Sequence, residues 1–160
     1  MFKTKNGNAL GLIICVVIPM AIGSITGLIL SETMFIFNNL NKPPLTPPGF
    51  VFPIVWTILY FLMGISCYLV IRDYTGEKEV RTSVVIYVIQ LVVNTLWSFV
   101  FFGAQDYRSA FFILLALWFV IIMMILEFGK TSPLAARLQI PYVIWVFFAG
   151  YLNFMICRIN

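Results

Sequence analysis

The 160-residue sequence has no histidine, and its only carboxylates are Glu32, Asp73, Glu77, Glu79, Asp106 and Glu127. Without imidazole, the commonest general base and metal ligand is missing. No carboxylate lies at the centre of an apolar run, which argues against a buried proton relay or carboxylate pair. The three cysteines, Cys15, Cys67 and Cys157, are an odd number without CxxC spacing. Neither a disulfide framework nor a zinc site is expected, and each thiol reads as a small core residue. Charge is scarce at 10% of residues, against about 25% in soluble domains. A water-soluble fold of this size could not cover its surface with so few charges. The net charge of +4 comes from basic residues scattered singly through termini and loops. That pattern suits anionic lipid headgroups rather than nucleic acid. What is present is apolar: 62% hydrophobic and 17% aromatic, which excludes disorder and places most of the chain in lipid.

Crossing a bilayer core takes about 20 apolar residues in a helix. Five runs qualify: 9–30, 51–71, 83–102, 110–128 and 133–157. Their apolarity is continuous and does not alternate, so they are helices rather than barrel strands. Lys3 and Lys5 precede the first run, but it is too long for a signal-peptide core and no A-x-A site follows. The predicted fold is an all-α integral membrane protein, one five-helix domain over 1–160. Short connections at 72–82, 103–109 and 129–132 make neighbouring helices antiparallel. The exception is residues 31–50, a long Pro-rich loop between the first and second helices. No internal repeat is visible, which disfavours an inverted-repeat transporter. Lys3, Lys5, Arg72, Lys78, Arg81, Lys130 and Arg137 fall on one side, and Lys42, Arg108 and Arg158 on the other. The majority side is inside. The N-terminus is therefore expected in the cytoplasm, and the overall pattern suits a bacterial cytoplasmic membrane.

The long loop contains Pro43-Pro44 and Pro47-Pro48, which fix φ and bias preceding residues to extended conformations. It is stiff, and serves either as a plain connector or as a lid over the bundle. Phe35, Phe37, Leu40 and Leu45 favour the lid, because a solvated loop has little use for them. Three helices carry polar or aromatic residues at helical spacing. They are Trp56, Tyr60, Met63 and Cys67 on the second, and Gln90, Asn94, Trp97 and Phe101 on the third, with Ser98 beside them. The fifth carries Pro141, Trp145, Ala149 and Asn153. Such residues either join helices by hydrogen bonds, about 0.6 kcal/mol each on average, or line a cavity. A cavity lined this way prefers a flat, hydrophobic ligand poor in charge. Gly23 and Gly27 form a GxxxG, which permits close helix approach within a monomer or across a homodimer.

The stretches KPPLTPPGFVFPIVWTILYFLMG (42–64), NTLWSFVFFG (94–103) and IPYVIWVFFAGYLN (140–153) resemble the translocator protein family, also called tryptophan-rich sensory proteins or peripheral benzodiazepine receptors. The resemblance implies a five-helix bundle with a pocket beneath the first loop. It implies binding of porphyrins, related tetrapyrroles and isoquinoline-carboxamide-type ligands, and often a dimer. By position, Pro47, Trp56, Asn94, Trp97, Trp145 and Ala149 match family pocket residues. In some bacterial members the tryptophans at Trp56 and Trp145 are linked to light-dependent porphyrin breakdown. Two departures stand out. Leu45 replaces the tryptophan of the usual KPxWxPP loop. Phe154 stands where the animal cholesterol motif has a tyrosine, so that motif is not supported.

The resulting expectation is a membrane receptor or sensor for porphyrin-like molecules, with porphyrin as ligand and no cofactor required. Its expected site is Pro47, Trp56, Tyr60, Asn94, Trp97, Phe101, Trp145, Ala149 and Asn153. The alternatives are a photochemical catalyst acting through Trp56 and Trp145, and a transporter of tetrapyrroles or lipids. The absence of histidine favours a metal-free porphyrin over one needing a histidine axial ligand.

Overall fold

A computed structural model describes residues 8–33, 40–74 and 76–160. Lys3, Lys5, Phe35 and Phe37, invoked above, lie outside the described residues. All regular structure described is helical: α1 (Ala9–Ile29), α2 (Val51–Asp73), α3 (Glu77–Ser98), α4 (Tyr107–Thr131), α5 (Pro133–Leu138) and α6 (Ile140–Ile159). Five spans are long and apolar enough to cross a membrane, the fifth being α5 and α6 together.

Several boundaries differ from the sequence expectation, each for a local reason. Glu77 and Glu79 in its first turn let α3 start at Glu77, because carboxylates there meet the positive end of the helix dipole. The expected loop 72–82 therefore shrinks, and Lys78 and Arg81 sit on the helix. At its other end α3 passes into a π-helical turn, Phe99–Gly103. Asp106 then caps α4, its carboxylate accepting from the Ser109 amide at 3.1 Å. Its hydrogen bonds with Ser109 hold the carboxyl below its ordinary range. The fifth span is not continuous. Pro141 cannot donate to the Arg137 carbonyl, and the chain breaks at Gln139 before α6 begins.

α4 is the centre of the bundle. Ala110, Leu114, Leu117, Ile121, Met124 and Phe128 form its buried face at helical spacing, against α3 on one side and α5 and α6 on the other. α1 is peripheral and packs mainly on α2; only 11% of its span is buried. Its approach to α2 has a specific cause. Pro19 lacks the N–H that would bond the Cys15 carbonyl, and that carbonyl lies against Gly64 of α2. The same carbonyl would be 2.7 Å from a Cβ at Gly64, so only glycine admits the contact. None of the three cysteines is in a disulfide.

Polarity is distributed as lipid requires. Ile13, Val17, Ile58, Val92, Phe119 and Ile144 are exposed, while Ser66, Ser83, Gln90, Asn94, Gln139 and Asn153 are buried. At the end where α2 stops, Asp73 pairs with Arg72 and accepts from Ser132 at 3.1 Å. The Ser66 hydroxyl, deeper in, donates to the Ala135 carbonyl at 2.7 Å. These bonds hold α2 to the α4–α5 joint.

Candidate functional site

The opposite end of the bundle holds a chamber of about 670 Å³ between α1, α2, the end of α3 and α6. The helical stripes read from the sequence explain its aromatic side. Trp56 and Tyr60 are one turn apart on α2, with Met63 and Cys67 buried below them. Trp97 and Phe101 follow Gln90 and Asn94 on the inward face of α3. The π turn carries Phe101 and Phe102 together to the wall. The rings form a continuous group. Trp56 lies 5.7 Å from Tyr60 and 6.1 Å from Trp97, and Trp97 lies 5.4 Å from Phe101.

Polar side chains fix this wall. The Trp97 indole donates to Asn153 Oδ1 at 3.3 Å, and Asn153 Nδ2 donates to the Tyr107 carbonyl at 2.8 Å. Asn153 therefore lines the chamber and also joins three helices. Asn94 donates to the Tyr60 hydroxyl at 3.0 Å. One layer deeper, the Tyr142 hydroxyl donates to Gln90 at 2.9 Å. No charged residue is on the described wall. An ionised group on a ligand would find no buried counter-charge there.

Six of the nine expected site residues stand on this wall: Trp56, Tyr60, Trp97, Phe101, Ala149 and Asn153. Asn94 is buried behind Tyr60 and acts on the wall through it. Trp145 is half-buried one layer back, edge-on to Phe52 at 5.8 Å, and Phe52 is the ring that lines the chamber. The four-residue steps from Pro141 explain this. Each step drifts by about 40° around the helix, so Pro141 is exposed, Trp145 is lateral, and Ala149 and Asn153 are buried. Pro47 is in the loop and not on the wall; Gly49, just beyond it, is.

The described part of the loop, residues 40–50, is held over this end of the bundle. Asn41 and Asn160 exchange two hydrogen bonds, at 3.0 and 3.1 Å, and Tyr151 donates to the Pro44 carbonyl at 3.2 Å. Pro43 is buried and Leu40 packs on the core. Leu45 does not cover the chamber as expected. It sits at the tip of a turn with φ 71°, and is 78% exposed.

The sequence reading missed the wall supplied by Met20, Gly23, Ser24, Thr26 and Gly27 of α1 and by Ser31 just beyond it. The available signal was the cluster of small and hydroxyl residues in a helix otherwise rich in Ile and Leu. The GxxxG pair belongs to this wall. A Cβ on Gly23 would collide with the Tyr60 ring, whereas one on Gly27 would meet nothing within 4 Å. Gly23 thus serves packing inside the chain, and Gly27 stands on open wall.

A family model described as the TspO/MBR family matches residues 15–159. The chain is 35% identical over 156 residues to a tryptophan-rich protein TspO of Chlorobaculum tepidum, covering 97% of this chain and 99% of that one. It is 36% identical over 124 residues to a tryptophan-rich sensory protein of Cereibacter sphaeroides, covering 78% and 76% respectively. It is 36% identical over 126 residues to the translocator protein of Homo sapiens, covering 78% and 74%.

Proposed function

The chain belongs to the TspO/MBR family, and from that premise we propose that it is a membrane receptor that takes porphyrins and similar flat, hydrophobic molecules into the chamber under the α1–α2 loop. The observation that carries this reading is a space of about 670 Å³ walled by indole, phenol and phenyl rings with no charge on its described wall. That volume lies within the ~300–1,000 Å³ usual for small-molecule sites. Ring faces stack on a planar ligand, and Trp56 and Trp97 present two adjacent indoles for this. Carboxylates on a natural porphyrin would stay at the mouth, in water, because the wall offers them no cation. The names of the bacterial and animal relatives, sensor and translocator, fit a receptor in the membrane.

The test is a titration of the purified protein with metal-free protoporphyrin, followed by porphyrin absorbance. Trp56→Leu is expected to weaken binding by about three- to tenfold, the worth of one stacked ring pair. Trp145→Phe should weaken it less, because that indole touches Phe52 rather than the chamber. Trp118→Phe, on α4 and off the wall, should leave binding unchanged. Equal affinity in wild type and Trp56→Leu would remove this site from the reading.

A second reading, light-dependent porphyrin breakdown, is favoured by the same Trp56–Trp97 contact, because indoles can reduce an excited tetrapyrrole. Bound porphyrin whose spectrum is unchanged after illumination in air would dismiss it.

A further inference from the structure

We propose that Gly27 sets the size limit of the chamber, so that its missing side chain is what admits a macrocycle-sized plane rather than a two-ring one. This rests on the chamber being the ligand site. Gly27 lies on the chamber wall, and a Cβ built there has no neighbour within 4 Å. A side chain at this position would therefore meet open space at the chamber wall rather than a packed neighbour. The glycine one turn earlier differs: at Gly23 the space is already filled by the Tyr60 ring. The two halves of the GxxxG thus have separate work. Gly23 seats Tyr60, which accepts from Asn94, and Gly27 keeps volume open. Apart from Met20, the rest of the α1 wall is also lean, with Ser24 and Thr26, and Ser31 follows just beyond the helix. The bulk of the lining comes from the ring-bearing helices, which leaves α1 to set how large a plane fits.

The experiment compares Gly27→Ala and Gly27→Leu with wild type, using protoporphyrin and isoquinoline as large and small flat probes. Gly27→Leu is expected to weaken protoporphyrin by at least about tenfold and isoquinoline by no more than about twofold, with Gly27→Ala between, as steric discrimination by a few carbons allows. The unfolding temperature should hold or rise in both variants, because leucine and alanine favour helix over glycine. Gly23→Ala should lower it. An unchanged ratio of the two affinities in Gly27→Leu overturns the proposal. So does parallel loss of both probes with a change in oligomeric state, which would assign the glycine to a contact between helices. Wild-type binding of isoquinoline but not protoporphyrin overturns the size claim alone. Wild-type binding of neither probe removes the receptor reading, and this proposal with it.

Discussion

Gly64 shows how much of this fold rests on single backbone positions. A Cβ there would lie 2.5 Å from Val16 Cα and 2.7 Å from the Cys15 carbonyl, both backbone atoms that cannot rotate away. Gly64→Ala is therefore expected to destabilise the protein by about 1–3 kcal/mol, the usual range for overpacking. Thermal unfolding in detergent measures this; an unchanged midpoint would mean that α1 does not sit where it is described. Leu45 is the opposite kind of position. Its left-handed φ of 71° is uncommon for a branched apolar residue, and its side chain touches little. The prolines around it announced a turn, but nothing in the residue names said that Leu45 would occupy the left-handed position. That follows from Thr46, whose amide donates back to the Pro43 carbonyl at 3.3 Å and closes the turn.

At the level of elements, α2 and α3 were legible and α6 only in part. Gln90, Asn94, Trp97 and Phe101 share one face because their spacings of three and four follow the helix period. On α6 the strict four-residue steps precess, and the buried face moves to Tyr142, Val146, Ala149, Asn153 and Ile156. The π turn after Ser98 had no sequence signal of its own. It rests on an extra residue per turn, with the Ala104 amide donating to the Phe99 carbonyl at 2.9 Å. The described part of the loop is held by bonds at Asn41 and Pro44. Asn160→Ala removes the acceptor of the Asn41 amide and the donor to the Asn41 carbonyl. Each hydrogen bond contributes about 0.5–1.5 kcal/mol. Faster hydrogen exchange is therefore expected at the Asn41 amide, with exchange in α4 unaltered. Exchange at Asn41 equal to wild type would show that the loop is held without this pair.

Across the whole molecule, the chamber, the loop, the start of α2 and the end of α6 share one side, and the Arg72–Asp73–Ser132 cluster marks the other. The excess of Lys and Arg on the second side predicts that the chamber opens outward. In a variant lacking the three native cysteines, Asn41→Cys should react with a membrane-impermeant thiol reagent added to intact cells. Protection there, with reaction only after lysis, would invert the orientation. The five spans and the inward stripes of α2 and α3 could be read from residue order, because length, continuous apolarity and helical spacing are local properties. The assignment of α1 to the chamber and the retreat of Trp145 behind Phe52 could not. In a bilayer the surroundings of a helix are as apolar as its neighbours, so in a helix such as α1 only the few small and hydroxyl residues hint at which face turns inward. That choice was made by contacts between distant segments, Gly64 against Cys15 and Tyr60 against Gly23, which exist only once the helices are assembled.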